Sequence, residues 1–206
     1  MRQLDNPQST RLAVGGTEPQ PSPFILIFLD SAIQTLNMTD FLVIMGVAGC
    51  GKSSLGAVVA QATGLTLLEG DDFHSPANRA KMSQGTALTD ADRDGWLATL
   101  SQQLREHPEG MVLTCSALKL AYRERLRQAA PGLRFVFLDI SREQAQTRVA
   151  ARASQHFFST SLVDSQFATL EVPTGEAGVL RVDAQQSLDQ LQAEVTAWLN
   201  THKEQA

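Results

Sequence analysis

Gly46-Val47-Ala48-Gly49-Cys50-Gly51-Lys52-Ser53 decides the reading of this chain. The eight residues fit G-x-x-x-x-G-K-[ST], a loop whose backbone N–H groups cradle phosphate. Its flanks fit as well. Phe41 to Met45 is a short continuous apolar run, the pattern of a parallel strand buried on both faces. Ser54 to Thr63 is rich in Ala, Leu and Val and reads as a helix that ends at Gly64. Strand, glycine loop and helix together aim several N–H donors and one helix dipole at a single anion. Lys52 then places a point charge on the β- and γ-phosphates of a nucleoside triphosphate. Ser53 places a hydroxyl on Mg²⁺. Gly46, Val47, Ala48, Gly49, Cys50, Gly51, Lys52, Ser53 and Ser54 are the expected nucleotide-binding residues. The competing reading is a Gly-rich turn before an ordinary helix, and the flanking strand and helix disfavour it.

Outward from this loop, strands and helices alternate. The pattern predicts strands at 41–46, 65–69, 111–115, 133–138 and 178–182. Helices are expected at 51–63, 76–83, 90–106, 118–129, 141–153, 162–170 and 187–201. Ser141 with Gln144, and Ser187 with Gln190, match the capping-box spacing at two helix starts. Leu188, Leu191, Val195, Trp198 and Leu199 keep helical spacing and form an apolar stripe that should dock on the sheet. Such alternation predicts an α/β fold, a five-stranded parallel sheet with helices on both faces. Residues 1–37 are unlike the rest, being rich in Pro, Gln, Ser and Gly up to Pro23. They read as a disordered extension or as the product of an upstream start, with Met38 the biological first residue and 38–206 the domain.

Of the 206 residues, 17 are Lys or Arg and 22 are Asp or Glu, a formal charge of -5. A general nucleic-acid binder would carry a basic surplus, so the charge argues against that class. The apolar stretch Phe24 to Leu29 is far too short to span a bilayer, and no secretory leader is visible. Cys50 and Cys115 make no disulfide framework and read as reduced thiols of a cytoplasmic protein. Cys50, inside the phosphate loop, raises the question of sensitivity to oxidants.

In a sheet of this kind, ligands bind beyond the carboxyl ends of the strands. After the second strand comes Glu69-Gly70-Asp71-Asp72-Phe73-His74. Three carboxylates within four residues repel one another unless a cation or a hydroxyl substrate lies nearby. Phosphoryl transfer to an alcohol needs a group that orients the hydroxyl and accepts its proton, commonly an Asp, and Asp71 is the candidate. Asp72 is expected on the substrate or the hydration shell of Mg²⁺, or else as a helix cap. His74 is a candidate substrate contact or a solvated helix-start residue. The third strand ends Leu113-Thr114-Cys115 with no acidic residue, so the Walker-B aspartate is missing. No Lys has an Asp two positions later, which excludes the guanine-recognition motif of GTPases. Lys119 faces either the phosphates or solvent. After the fourth strand, Arg148 and Arg152 lie four apart on one helix face. Ala153 to Thr160 follows with weak helical signal and reads as a mobile lid. Two arginines at its hinge suit charge stabilisation of a γ-phosphoryl group in flight, and the lid itself suits exclusion of water.

These segments together resemble the gluconokinase family. The resemblance rests on the phosphate loop and Asp71-Asp72-Phe73-His74, on Pro76-Ala77-Asn78 with Lys81-Met82, and on Leu88-Thr89-Asp90 with Arg93 and Trp96. It continues through Cys115-Ser116-Ala117-Leu118-Lys119 with Tyr122-Arg123, and ends on His156-Phe157-Phe158 and Asp164-Ser165-Gln166-Phe167. It runs from about residue 40 to 183. Gly95 stands where the family usually has Pro, and Ala153-Ser154-Gln155 is longer than the usual lid segment. The resemblance implies ATP- and Mg²⁺-dependent phosphorylation of D-gluconate on its 6-hydroxyl, on a nucleoside-monophosphate-kinase-like fold. It also implies a homodimer. For the gluconate carboxylate, analogy with small-molecule kinases of this fold offers Arg93 first, then Lys119 or Arg123. A salt bridge from Arg93 to Asp90 or Asp92 is the alternative. Rival functions are a kinase for shikimate or adenylylsulfate, which Asp71-Asp72-Phe73-His74 argues against, and a nucleotide-binding module without turnover.

Overall fold

A computed structural model describes residues 40–151 and 160–201, all within the second of two units of the chain, Thr39–Ala206. The readings made for 1–37, for Arg152 and for the lid core at 153–159 lie outside the described residues. Five strands form one parallel sheet: β1 (Asp40–Met45), β2 (Thr66–Glu69), β3 (Gly110–Thr114), β4 (Arg134–Asp139) and β5 (Val179–Asp183). Seven helices are described: α1 (Lys52–Thr63), α2 (Pro76–Ser83), α3 (Asp90–Glu106), α4 (Leu120–Ala129), α5 (Arg142–Ala151), α6 (Thr160–Thr169) and α7 (Leu188–Thr201). Strand and helix ends shift by one or two residues from the sequence pattern. The start of α4 is the instructive case. Ala117 takes a left-handed φ of 43°, and Lys119 stays extended, so the helix begins at Leu120 and not at 118.

The sheet order is β2-β3-β1-β4-β5. From β1 the chain runs to the edge strand β2, returns to β3 beside β1, and then crosses to β4 and β5 on the other side, so the crevice at the end of β1 opens where the order reverses. Every residue of β1 is buried. Leu42 and Ile44 enter one core with Leu55 and Val59 of α1 and Leu191, Val195 and Leu199 of α7. Phe41, Val43 and Met45 enter a second core with Trp96, Leu97, Leu100 and Leu104 of α3 and Tyr122 and Leu126 of α4. Period-two alternation thus feeds two helical layers, which is why β1 reads as a continuous apolar run.

Local signals behave as their chemistry requires. Gly64 ends α1 at φ 72°. The Ser141–Gln144 and Ser187–Gln190 pairs make their reciprocal capping bonds. A third capping box, Thr89 with Asp92, starts α3. Within the stripe of α7, Leu188 stands at the helix start and is exposed, while Leu191, Val195 and Leu199 are buried.

Candidate active site

The loop between β1 and α1 is shaped by its glycines. Gly46, Gly49 and Gly51 adopt φ of 139°, 82° and 108°. A Cβ on Gly46 would meet Cys50 Sγ at 2.8 Å and the Leu138 carbonyl at 2.9 Å. Only Gly combines these dihedrals with that approach. Lys52 folds back over the loop, its Nζ donating to the carbonyls of Gly46 at 3.2 Å and Val47 at 3.1 Å. The cleft in front is lined by Ala48, Gly49 and Gly51 to Ser54 from the loop and α1, by Glu69 at the end of β2 and Asp71 and His74 after it, and by Arg93 and Trp96 of α3. Ser165 and Gln166 of α6 complete the lining.

Cys50 does not line this cleft. Its thiol is buried beneath the loop, and burial pushes its pKa up against the opposing charge of Lys52. A protonated, inaccessible thiol is a poor target for oxidants.

The absence of an acidic residue at the end of β3 has a structural answer. In the parallel register Glu69 of β2 stands opposite Thr114 of β3. Ser53 Oγ donates to Glu69 Oε2 at 3.1 Å, and Thr114 Oγ1 donates to the same oxygen. A carboxylate from the neighbouring strand therefore reaches the hydroxyl expected on Mg²⁺. Glu69 is legible in the sequence as part of the acidic segment, but its role depends on strand order, which spacing does not encode. Oxygen donors of this kind suit Mg²⁺, which keeps several waters and takes one or two carboxylates plus substrate phosphates. Among the described residues no cluster of three or more His, Cys, Asp or Glu forms a separate metal site.

Asp71 sits on a 3₁₀ turn, Gly70–Phe73, that begins where β2 ends. Its side chain is 53% exposed and faces the cleft, 3.8 Å from His74 Nε2. The His74 ring is buried and stacked on Trp96, with centroids 4.3 Å apart and planes 16° from parallel. Trp96 Nε1 donates to the Gly70 carbonyl at 2.7 Å, tying α3 to the turn. Burial holds the His74 pKa below its ordinary value, with the Asp71 carboxylate opposing. His74 is thus a neutral ring at neutral pH, and its Nδ1 has no partner among the described residues. In the sequence Trp96 enters only through the family resemblance; its positioning role emerges from the fold.

The remaining candidates separate by location. Arg93 is buried against the cleft, 3.8 Å from Asp90 and 6.0 Å above the Tyr122 ring. Lys119 does not line the cleft: its Nζ holds both Asp90 oxygens at 2.8 and 2.6 Å. Tyr122 donates to Asp90 as well, and these partners pull the Asp90 pKa down. Arg123 is fully buried and committed elsewhere. Its Nε donates to Glu176 at 2.9 Å, its Nη2 to the same carboxylate, and its Nη1 to the Ala117 carbonyl at 2.9 Å. The expectation that Arg123 meets substrate is corrected by that geometry. Asp72 is exposed, lies outside the cleft lining and does not cap α2, where Ser75 does so. Arg148 donates to the Ala184 carbonyl at 2.8 Å and the Cys50 carbonyl at 3.4 Å, bracing the loop from behind instead of facing its donors.

Comparison with known proteins shows the family of the chain. Residues 41–173 match the family described as the AAA domain. A gluconokinase from Gluconobacter oxydans is 46% identical over 152 residues, covering 72% of this chain and 85% of that protein. The thermoresistant gluconokinase of Escherichia coli is 38% identical over 151 residues, 71% of this chain and 86% of that one. A crystal structure of a gluconokinase from Sinorhizobium meliloti superimposes with a TM-score of 0.74 at 44% identity, over 81% of this chain and 94% of that one. With the phosphate loop, the acidic turn and the buried His–Trp pair on one cleft, the chain is a member of the gluconokinase family, built on a P-loop domain.

Proposed function

We propose that this protein transfers the γ-phosphoryl group of ATP to the 6-hydroxyl of D-gluconate and so feeds gluconate into carbohydrate metabolism. The observation that carries the reading is the single cleft joining the phosphate loop to Asp71 and Arg93. The loop N–H groups and Lys52, once swung from its own carbonyls, hold the triphosphate. Mg²⁺, held by Ser53 with Glu69 behind it, supplies charge neutralisation on the phosphates. Asp71 orients the 6-hydroxyl and accepts its proton. The oxygen bonds to the γ-phosphorus, the bond to the β-phosphate oxygen breaks, and ADP leaves with the charge. Arg93 meets the gluconate carboxylate, for which a guanidinium fork is well matched. The neutral His74, held by Trp96, lines the acceptor part of the cleft with its Nε2 beside Asp71. Arg148 and Arg152 are assigned to the donor side, Arg148 through its bond to the Cys50 carbonyl. An ATP-dependent step and two thiols without a partner suit a cytoplasmic setting, and no helix among the described residues is long and apolar enough to cross a membrane.

A panel of acceptors with coupled detection of ADP tests the reading. Gluconate should turn over fastest. Faster turnover of shikimate, or nucleotide binding with no consumption of any sugar acid, would overturn it.

A further inference from the structure

The Asp71 carboxylate makes no hydrogen bond of its own among the described residues; it lies 3.8 Å from His74 Nε2, beyond hydrogen-bond reach. Its aim therefore depends on the backbone of the 3₁₀ turn, Gly70–Phe73. Four carbonyls of the turn and its exit are held. Gly70 accepts from Trp96 Nε1 at 2.7 Å, and Asp71 accepts from the His74 N–H at 3.4 Å. The other two bonds come from one side chain, Arg79 of α2. Its Nε donates to the His74 carbonyl at 3.1 Å, and its Nη2 donates to the Asp72 carbonyl. Trp96 thus fastens the entry to the turn and Arg79 fastens the exit. The helix that carries Arg79 is itself anchored on α3. Asn78 is buried and its Nδ2 donates to the Asp92 carbonyl at 2.7 Å, while Lys81 Nζ pairs with the Asp92 carboxylate at 2.6 Å. Arg79 is exposed and does not line the cleft. Its fork is spent on backbone oxygens, and among the described residues it pairs with none of the neighbouring carboxylates Glu69, Asp71 and Asp72.

We propose that Arg79 is a positioning residue for the acceptor site, a guanidinium fork that locks the exit of the turn and so sets the direction of the Asp71 carboxylate. A planar fork reaches two carbonyl oxygens at once, and its charge strengthens both bonds. The ammonium of a lysine is a single point on a flexible stem and cannot match that pair. A loosened turn leaves Asp71 the same base but lets its carboxylate wander. Transfer needs the reacting groups held to a fraction of an ångström. The loss then falls on the chemical step and not on binding, because Arg79 stands outside the cleft lining. This inference rests on the reading of Asp71 as the group that accepts the hydroxyl proton.

The test is steady-state kinetics of the full-length protein in ATP and gluconate, with Arg79 and Asp71 varied singly and together. Arg79→Ala should lower kcat about tenfold to 10²-fold, the range that a misplaced group costs. Both KM values should stay within about twofold. Arg79→Lys keeps the charge without the fork and should remain at least about threefold below wild type. Millimolar guanidinium chloride, far below denaturing concentrations, should restore part of the rate to Arg79→Ala and none to Asp71→Asn. Added to Asp71→Asn, Arg79→Ala should cost less than about twofold more, because the two act through one group. A side chain that only props α2 would lower the urea midpoint and leave kcat unmoved. That result, a wild-type rate in Arg79→Lys, or a full independent loss in the double variant would overturn the inference. Should Arg79→Ala fail to fold, Arg79→Lys in both backgrounds still decides. Asp71→Asn at the wild-type rate would sink the base assignment, and this inference with it. An unchanged kcat in Arg79→Ala beside an impaired Asp71→Asn would overturn this inference alone.

Discussion

Asp71 stands on a turn that two other side chains hold in place. Trp96 anchors the Gly70 carbonyl and stacks on His74, whose Nε2 lies within 3.8 Å of the Asp71 carboxylate. Asp71→Asn keeps the shape and removes the carboxylate proposed to accept the hydroxyl proton. We expect kcat to fall about 10²-fold or more, the usual worth of a positioned base, with the KM for ATP changed little; steady-state kinetics in both substrates checks this. His74 gives a pH signature. Its pKa in the folded protein lies below the ordinary 6.5 because burial disfavours the charged ring. Below pH 6.5 the unfolded chain binds a proton that the folded protein refuses, so stability falls as the pH drops through this window toward the folded pKa. Urea unfolding at about pH 7.5 and about pH 5.5, on either side of that window, should show the loss, and His74→Gln should flatten it.

At the level of elements, the site depends on which strand ends lie side by side. The glycine loop, Asp71 and the carboxyl-end rule are all legible in the sequence, because spacing, charge and turn chemistry are local. Glu69 is legible as a carboxylate and not as the partner of Ser53. That pairing needs β2 to lie next to β3, a fact of sheet order. Gln166 shows the same limit more strongly, since its Oε1 accepts the N–H of Ala48, in another element and in another half of the chain. Glu69→Gln should raise the Mg²⁺ concentration for half-maximal activity about 10-fold, as loss of an outer-shell carboxylate does. The gluconate KM should stay within about twofold by the same reasoning. A magnesium titration of initial rates checks both.

Over the described residues, the five strands and the helical layers follow from the alternation of strand and helix signals; β1 and β3 are buried throughout, while the edge strands β2 and β5 are partly exposed. Charged residues are harder to place. Arg123 sits among site residues in sequence yet pairs with Glu176, 53 positions away. That pair ties α4 to the segment before β5, and Arg127 reaches the same carboxylate. The Arg123 side chain is 1% exposed, so loss of its partner leaves a buried charge uncompensated. Glu176→Gln should therefore cost about 3 kcal/mol of stability, read by denaturant unfolding, while the KM for gluconate remains at the wild-type value. A large rise in that KM with unchanged stability would return Arg123 to the substrate site.

The most direct test of phosphoryl transfer from ATP to gluconate is ³¹P nuclear magnetic resonance of the protein with Mg²⁺, ATP and D-gluconate. Transfer within a closed cleft predicts one phosphomonoester on the 6-oxygen of gluconate for each ADP formed, and almost no free phosphate. Release of free phosphate without an ester, or an ester on another oxygen, would contradict it.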